Sequence, residues 1–377
     1  MRTHHNRKPI LLSGVLLLGQ LLLGQDQPHA TGTYGGRYFP LEWTGHARDP
    51  RRLVLDRQLR FFAKLDDVMI HIWACSNDFA SAQLAYDNMR PDKRDVEYEA
   101  RPHAAACTNG LLFIGDFPFG KDQGARELLW HTEGGEIQRL SRNEQELVLH
   151  EGIFVLGNYD GTGFLRCRSS YSEKLHAKEI FAEFCDLSGK PVKDFKVAAV
   201  FTNFPSPVLM DNRSNIYCIE ANTDGTRRSL GMINPNDGSY TLLVRGNLAG
   251  QAPLLTRDGI TVATYVHKTD FGNSLSVQYY RAGKLVKSAN DPVPENANEV
   301  RLSITSDGEG VVTQVTSGEK KGLVKVWNIE SGKTSEIDRL PEIRYIFPWV
   351  QGKYAPVWTS SDGKTYEAGL LEVTRSN

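Results

Sequence analysis

The chain has 377 residues, and its 44 lysines and arginines nearly balance its 45 aspartates and glutamates. A balance so close to neutral argues against a nucleic-acid groove or a polybasic membrane patch, because both need a positive excess. Local basic pairs such as Arg51-Arg52 are predicted to be solvated surface charge.

The N-terminus is predicted to be an export signal or an uncleaved anchor. Arg2, Arg7 and Lys8 form a positive start, and an uncharged, leucine-rich stretch follows over residues 10–24. This stretch is shorter than the roughly 20 residues that span a bilayer comfortably, and it fits the apolar region of a secretory signal. We expect an exported protein that is periplasmic, secreted or attached to the cell envelope. Residues 25–36 are polar and glycine-rich, which predicts a linker.

A two-strand signature then repeats along the chain. It consists of an apolar strand, a polar turn that ends in glycine, and a second strand, as in VKVWNIESGKTSEI. The turn glycines lie 54, 49, 45 and 49 residues apart, at Gly135, Gly189, Gly238, Gly283 and Gly332. A period of this size with four short strands per period is typical of a β-propeller, whose blades cannot bury both faces alone.

The two ends of the repeat decide the blade count. The last repeat, from about residue 345, offers three strands, and we predict that residues 37–43 supply the fourth and so close the ring. The first repeat, residues 53–99, is the weakest. If this repeat forms a blade, the fold is an all-β, closed propeller of seven four-stranded blades. If it is irregular, the propeller has six blades. The predicted organisation is a signal peptide or anchor over residues 1–30 and one propeller domain over 31–377.

Single blades resemble known propeller families. VLMDNRSNIYCIE resembles the bacterial six-bladed propellers related to the NHL-repeat and TolB-like groups, and KVWNIESGK resembles a WD-repeat or quinoprotein blade. These resemblances imply the propeller fold. The Gly-His pair of WD repeats is absent, so no family's ligand is carried over to this chain.

Aromatic residues concentrate on predicted loops that share one face of the propeller. Those loops join second to third strands or connect neighbouring blades, and the longest covers residues 158–177. Large aromatics and arginine on loops are typical of binding surfaces, although the same rings could instead fold down and plug the face. The candidate binding residues are Phe117, Phe119, Lys121, Phe164, Arg166, Tyr171, Phe204 and Phe271.

Metal and cofactor signatures are weak. Asn158-Tyr-Asp-Gly-Thr-Gly offers alternating oxygen atoms like a calcium loop, but no glutamate follows at EF-hand spacing, so a plain turn is predicted. The five cysteines form no CxxC pair and no Cys/His cluster. No nucleophile elbow, P-loop or dinucleotide fingerprint occurs. We therefore expect no cofactor, no metal and no catalytic residue.

The predicted function is non-catalytic binding of a protein, a peptide or a surface polymer through the loops of that face. Nucleic acid is not expected as a partner, and a membrane is expected only through an uncleaved N-terminal segment. The alternative is a metal-dependent hydrolase, lactonase or lyase with its site in the central channel, for which the candidates are His103, Asn203 and Glu299. A third hypothesis is a structural or assembly role at the cell envelope.

Overall fold

The computed structural model describes residues 33–66, 69–87, 103–107, 110–119, 122–131, 137–139, 154–188, 190–201, 205–222, 226–249, 253–268, 275–292 and 298–376. Within these residues the strands form seven antiparallel sheets. Six are built from consecutive strands, and the seventh combines the last three strands of the chain with the first two. The all-β propeller fold expected from the repeat is confirmed. In the same residues no helix is long and apolar enough to cross a membrane, and residues 1–30 lie outside them.

The strands are numbered along the chain, and the blades are counted from the first complete sheet. The chain starts with β1 (Tyr34–Pro40), a 3-10 turn (Glu42–Thr44) and β2 (His46–Ala47). Blade 1 contains β3 (Pro50–Leu55), β4 (Phe61–Asp66), β5 (Met69–Cys75) and β6 (Ala82–Asp87). Blade 2 contains β7 (His103–Cys107), β8 (Gly110–Phe119), β9 (Asp122–His131) and β10 (Ile137–Arg139). Blade 3 contains β11 (Phe154–Gly157), β12 (Gly163–Ser172), β13 (Ala177–Asp186) and β14 (Pro191–Lys196). Blade 4 contains β15 (Ser206–Met210), β16 (Ile216–Ala221), β17 (Arg228–Ile233) and β18 (Tyr240–Val244). Blade 5 contains β19 (Leu254–Leu255), β20 (Thr261–His267), β21 (Leu275–Arg281) and β22 (Lys284–Asn290). Blade 6 contains β23 (Glu299–Ile304), β24 (Gly310–Val315), β25 (Leu323–Asn328) and β26 (Thr334–Arg339). Blade 7 contains β27 (Glu342–Ile346), β28 (Tyr354–Ser360) and β29 (Tyr366–Arg375).

Blade 7 joins the two ends of the chain. Strand β1 pairs antiparallel with β29, from Tyr34 opposite Arg375 to Pro40 opposite Gly369, and β2 pairs with the start of β29. The prediction that the N-terminal segment completes the last blade is confirmed. The pairing also covers the edge of β29 that would otherwise expose unpaired backbone groups.

Three of the repeated turn glycines lie in described hairpins between third and fourth strands. Gly238, Gly283 and Gly332 have φ angles of 69°, 79° and 64°. These positive angles are strained for residues with a Cβ atom, which explains glycine at the end of each turn. The Asp-Gly pairs at 258–259 and 307–308 join first to second strands, as predicted.

The apolar core lies between neighbouring blades. Leu165 and Ile180 of blade 3 pack in one cluster with Met210 and Ile216 of blade 4. Blades 6 and 7 share a cluster in the same way, and so do blades 7 and 1, where Trp358 is fully buried. Because each sheet buries its faces against its neighbours, the blades surround a common axis.

Candidate functional site

A cavity of about 660 Å³ lies on the propeller axis. All seven blades line it with the innermost strand or the turn that follows it. One lining residue from each blade, in order, is Leu55, Ala106, Leu156, Met210, Leu255, Ser306 and Val350. Small-molecule sites typically have volumes of roughly 300–1,000 Å³ and mostly apolar walls, so this cavity has the size and the wall chemistry of a ligand site.

One turn construction shapes the mouth of the cavity in blades 1, 3, 5 and 6. The backbone N–H of the turn's first residue donates to the carbonyl five residues later, at distances between 2.8 and 3.0 Å. These first residues are Asp56, Asn158, Thr256 and Thr305. The residue that follows each of them lines the cavity. We call these four following residues the turn ring: Arg57, Tyr159, Arg257 and Ser306.

Contacts within the turn ring bridge the mouth. Arg57 donates from Nη2 to the Asn158 carbonyl at 2.9 Å and from Nη1 to the Tyr159 carbonyl. The Gln351 amide donates to the Arg57 carbonyl at 2.7 Å, which links blade 7 to blade 1. On the other side, a Cβ at Gly259 would lie 2.4 Å from the Tyr159 hydroxyl, so glycine lets that ring reach blade 5. The described part of the mouth is therefore held by contacts of blade 3 with the non-adjacent blades 1 and 5 and by a contact between the adjacent blades 7 and 1.

The described lining of the cavity is positively charged. It contains Arg52, Arg57 and Arg257 but only one acidic residue, Asp160. Asp160 accepts hydrogen bonds from the Thr162 backbone N–H at 2.9 Å and from its hydroxyl at 2.8 Å. The bond from the Thr162 backbone is the main reason why the pKa of Asp160 is below its ordinary value. The described lining therefore carries a net charge of +2, from three arginines and one aspartate.

Arg52 differs from its neighbour Arg51 in its surroundings. The Arg51 guanidinium is half-exposed and pairs with Asp49 at 2.7 Å. Arg52 lines the cavity, and burial alone lowers the pKa of its guanidinium. Among the described side chains, none forms an ion pair or hydrogen bond with it. Arginine keeps its proton at neutral pH even when buried, so Arg52 brings to the cavity a positive charge that no described side chain pairs with. The expectation of solvated surface charge holds for Arg51 and not for Arg52.

Asp258 stabilises the turn that presents Arg257. Partial burial acts to raise its pKa, but hydrogen bonds from Thr261, Ile260 and Thr256 outweigh it and lower the pKa of Asp258 to about 2. An unfolded aspartate titrates near pH 3.9. Because the folded value is lower, the carboxylate stabilises the fold fully above about pH 4 and loses this effect as the pH falls towards 2.

We therefore expect Asp258→Asn to lower the melting temperature at pH 7 and to have less effect at pH 2. Thermal unfolding of both proteins at pH 7, 4, 3 and 2 measures the difference, which should shrink between pH 4 and pH 2. A difference that stays constant over this range would show that the turn does not depend on the charge of Asp258.

The long loop predicted over residues 158–177 is wrong, because most of this segment is a strand. Only short turns are present there, and β12 occupies most of the segment and pairs with β13 along its whole length. Phe164 lies in β12 and is fully buried, so it packs in the core. The Arg166 guanidinium donates to Glu183 on β13 at 2.8 Å. Tyr171, near the end of β12, is 60% exposed and lies on the predicted face.

Of the other candidate binding residues, the structure describes only the backbone of Phe117 and Phe119. Phe117 and Phe119 belong to β8 rather than to a loop, because β8 runs to Phe119 before the turn to β9. Their side chains are outside what the structure describes, as are Lys121, Phe204 and Phe271 altogether. A shared aromatic surface on this face therefore stays a prediction.

Of the three predicted cation ligands of the channel, the structure describes the side chain of Glu299 only. Glu299 starts β23, as expected, but its carboxylate pairs with Lys325. It also accepts hydrogen bonds from the Thr313 hydroxyl and the Trp327 indole, both at 3.1 Å. The His103 side chain and Asn203 lie outside the described residues. Among the residues that are described, no three His, Cys, Asp or Glu side chains are grouped so that they could hold a metal ion.

Three of the described cysteines are small buried side chains. Cys167, Cys185 and Cys218 are buried and not joined to one another. Burial raises the pKa of the Cys167 thiol to about 12. A thiol with so high a pKa is a poor nucleophile at neutral pH, so this residue contributes packing.

The comparisons with known proteins show the fold. No protein-family model matches this chain, and no curated protein matches its sequence. A solved structure of oligogalacturonate lyase in complex with manganese is similar, with a TM-score of 0.53 and 11% identity over 91% of this chain and 96% of that one. Hydrazine synthase from Kuenenia stuttgartiensis has a TM-score of 0.51 and 10% identity over 88% and 96%. TolB from Acinetobacter baumannii has a TM-score of 0.40 and 11% identity over 64% of this chain and 55% of that one. At 10% and 11% identity, the similarities to hydrazine synthase and oligogalacturonate lyase show the fold alone.

Proposed function

We propose that the protein is an exported binding propeller, without catalytic activity, whose ligand enters the axial cavity. The observation that carries this proposal is the cavity of about 660 Å³ to which all seven blades contribute. Apolar walls with a few placed polar groups are typical of ligand sites. The charged groups that line it are mainly guanidiniums, which bind and orient a ligand and do not act as bases at neutral pH.

Export is supported by the charged start and the leucine-rich stretch of residues 1–24. The enzyme alternative has less support, because the carboxylate of Glu299 is engaged by Lys325 within its own blade. The only acidic residue of the described lining, Asp160, is hydrogen-bonded within its own turn.

Filling the cavity tests the proposal. Val208 lines the cavity where the register of β15 shifts between Pro207 and Leu209, a bulge that sets its side chain apart from the regular ladder. We expect Val208→Trp to occupy part of the cavity. Native mass spectrometry of the purified chain after incubation with an extract of its source cells should show a retained ligand for the wild type, and at least tenfold less of it for the variant.

Val192→Trp is the matched control, because Val192 is 65% exposed on β14, the outermost strand of blade 3. It should retain the ligand like the wild type. A wild type that retains nothing, or equal retention by the two tryptophan variants, would contradict a ligand site in the cavity.

One observation favours a second binding surface on the predicted face. Tyr171, Leu175 and Val200 are 60%, 47% and 51% exposed. The first two lie on the β12–β13 hairpin, and the third lies on the connection to blade 4, which the Lys178–Phe201 bridge joins to that hairpin. Exposed aromatic and aliphatic side chains held together in this way fit a contact with a protein, a peptide or a surface polymer.

A further inference from the structure

We propose that the axial cavity binds an organic oxyanion, a carboxylate or a phosphate ester, through Arg52 in its wall and the arginines of the turn ring at its mouth. This inference rests on the proposed function and goes beyond it by naming the chemistry of the ligand. The apolar walls would hold the organic body of that ligand.

Arg52 is the main support for an anion. Enclosing a charge without a partner is costly, and within the described residues Arg52 has neither an ion pair nor a hydrogen bond. Its relative exposure is nevertheless intermediate and not zero, because the side chain borders the cavity. A ligand in the cavity can therefore reach the guanidinium, whose planar set of donors matches a carboxylate or phosphate group.

Two further arginines at the mouth of the cavity, Arg57 and Arg257, add positive charge where a ligand would enter. Arg57 is held in place by the carbonyls of Asn158 and Tyr159, so it acts as a fixed charge. Arg257 is exposed on the neighbouring part of the turn ring. Positive charges around an opening with low-dielectric walls attract anions and raise their local concentration. The same walls strengthen the attraction between an anion and Arg52 once water is displaced.

The apolar part of the lining restricts the ligand further. Leu55, Leu156, Met210 and Leu255 contribute to the wall, and a bare inorganic ion would leave most of about 660 Å³ unfilled. An anion with an apolar body uses both kinds of contact. Phenyl phosphate and benzoate are therefore suitable probes, and benzyl alcohol is the neutral control of similar size.

Isothermal titration calorimetry of the full chain tests the inference. We expect saturable binding of phenyl phosphate, benzoate or both, and much weaker binding of benzyl alcohol. Which anion binds more tightly distinguishes a phosphate ligand from a carboxylate ligand. Arg52→Gln should weaken anion binding at least tenfold, and Arg52→Lys, which keeps the charge and loses the planar donors, should weaken it less.

Arg51→Gln is the matched control, because it removes the same charge from the same strand at a residue that pairs with Asp49. It should bind the anions like the wild type. The inference is overturned if no anion binds, if Arg52→Gln binds as tightly as the wild type, or if Arg51→Gln is weakened equally. If Val208→Trp prevents ligand retention while Arg52→Gln still binds the anions normally, the cavity remains the ligand site and only the oxyanion assignment fails.

Discussion

Replacing Phe164 with alanine should lower the free energy of unfolding by about 3–5 kcal/mol, the usual cost of truncating a fully buried phenylalanine. Phe164 is 0% exposed and lies in β12, which is paired on both sides, with β11 and with β13. Truncation would leave a cavity that these paired strands cannot close. Urea unfolding followed by tryptophan fluorescence measures the loss.

Tyr171→Ala is the matched control on the same strand. Its ring is 60% exposed, so we expect the free energy of unfolding to change by less than about 0.5 kcal/mol. If a partner docks on this face, the same variant should bind it about 30-fold more weakly, the factor that corresponds to a hot-spot loss of about 2 kcal/mol. An equal loss of stability in both variants would mean that Tyr171 packs into the fold.

The contrast between these two residues shows where sequence reasoning reached its limit. The same polar turn ending in glycine recurs in successive blades, so the spacing of these turn glycines predicts the hairpins and the propeller. A strand that is buried on both faces carries apolar residues at consecutive positions, such as Phe164 and Leu165. It therefore lacks the alternation that marks a half-buried strand. The alternation rule therefore does not mark the segment around Phe164 as a strand.

The cavity was harder to predict than the fold. The members of the turn ring share a structural position but no residue type, so no motif marks them in the sequence. Arg51 and Arg52 form an ordinary basic pair in the sequence. The register of β3 shifts between Pro50 and Arg52, so simple alternation along the strand does not tell in advance which of the two side chains lines the cavity. Side-chain direction after a bulge depends on strand pairing, which the sequence alone does not specify.

Closure of the ring predicts a second large effect. Gly36→Ala should destabilise blade 7, because a Cβ at this position would lie only 2.2 Å from the backbone carbonyl oxygen of Glu372. Overpacking usually costs about 1–3 kcal/mol, and here the obstacle is the backbone of β29, which cannot move aside as a side chain could. We expect a lower melting temperature and faster proteolysis within residues 33–40, because β1 would separate from β29.

Gly35→Ala is the control, because a Cβ at Gly35 would meet nothing within 4 Å. Neither glycine has the positive φ that would strain an alanine. The two positions therefore differ only in the space that is available for a Cβ atom. Gly35→Ala should leave the fold unchanged or stabilise it by up to about 1 kcal/mol, since alanine has less freedom in the unfolded chain. These glycines end the stretch predicted to be a linker, yet both belong to β1, where Gly36 pairs with Val373. Equal effects of the two substitutions would show that close approach of β1 to β29 is not what holds the ring closed.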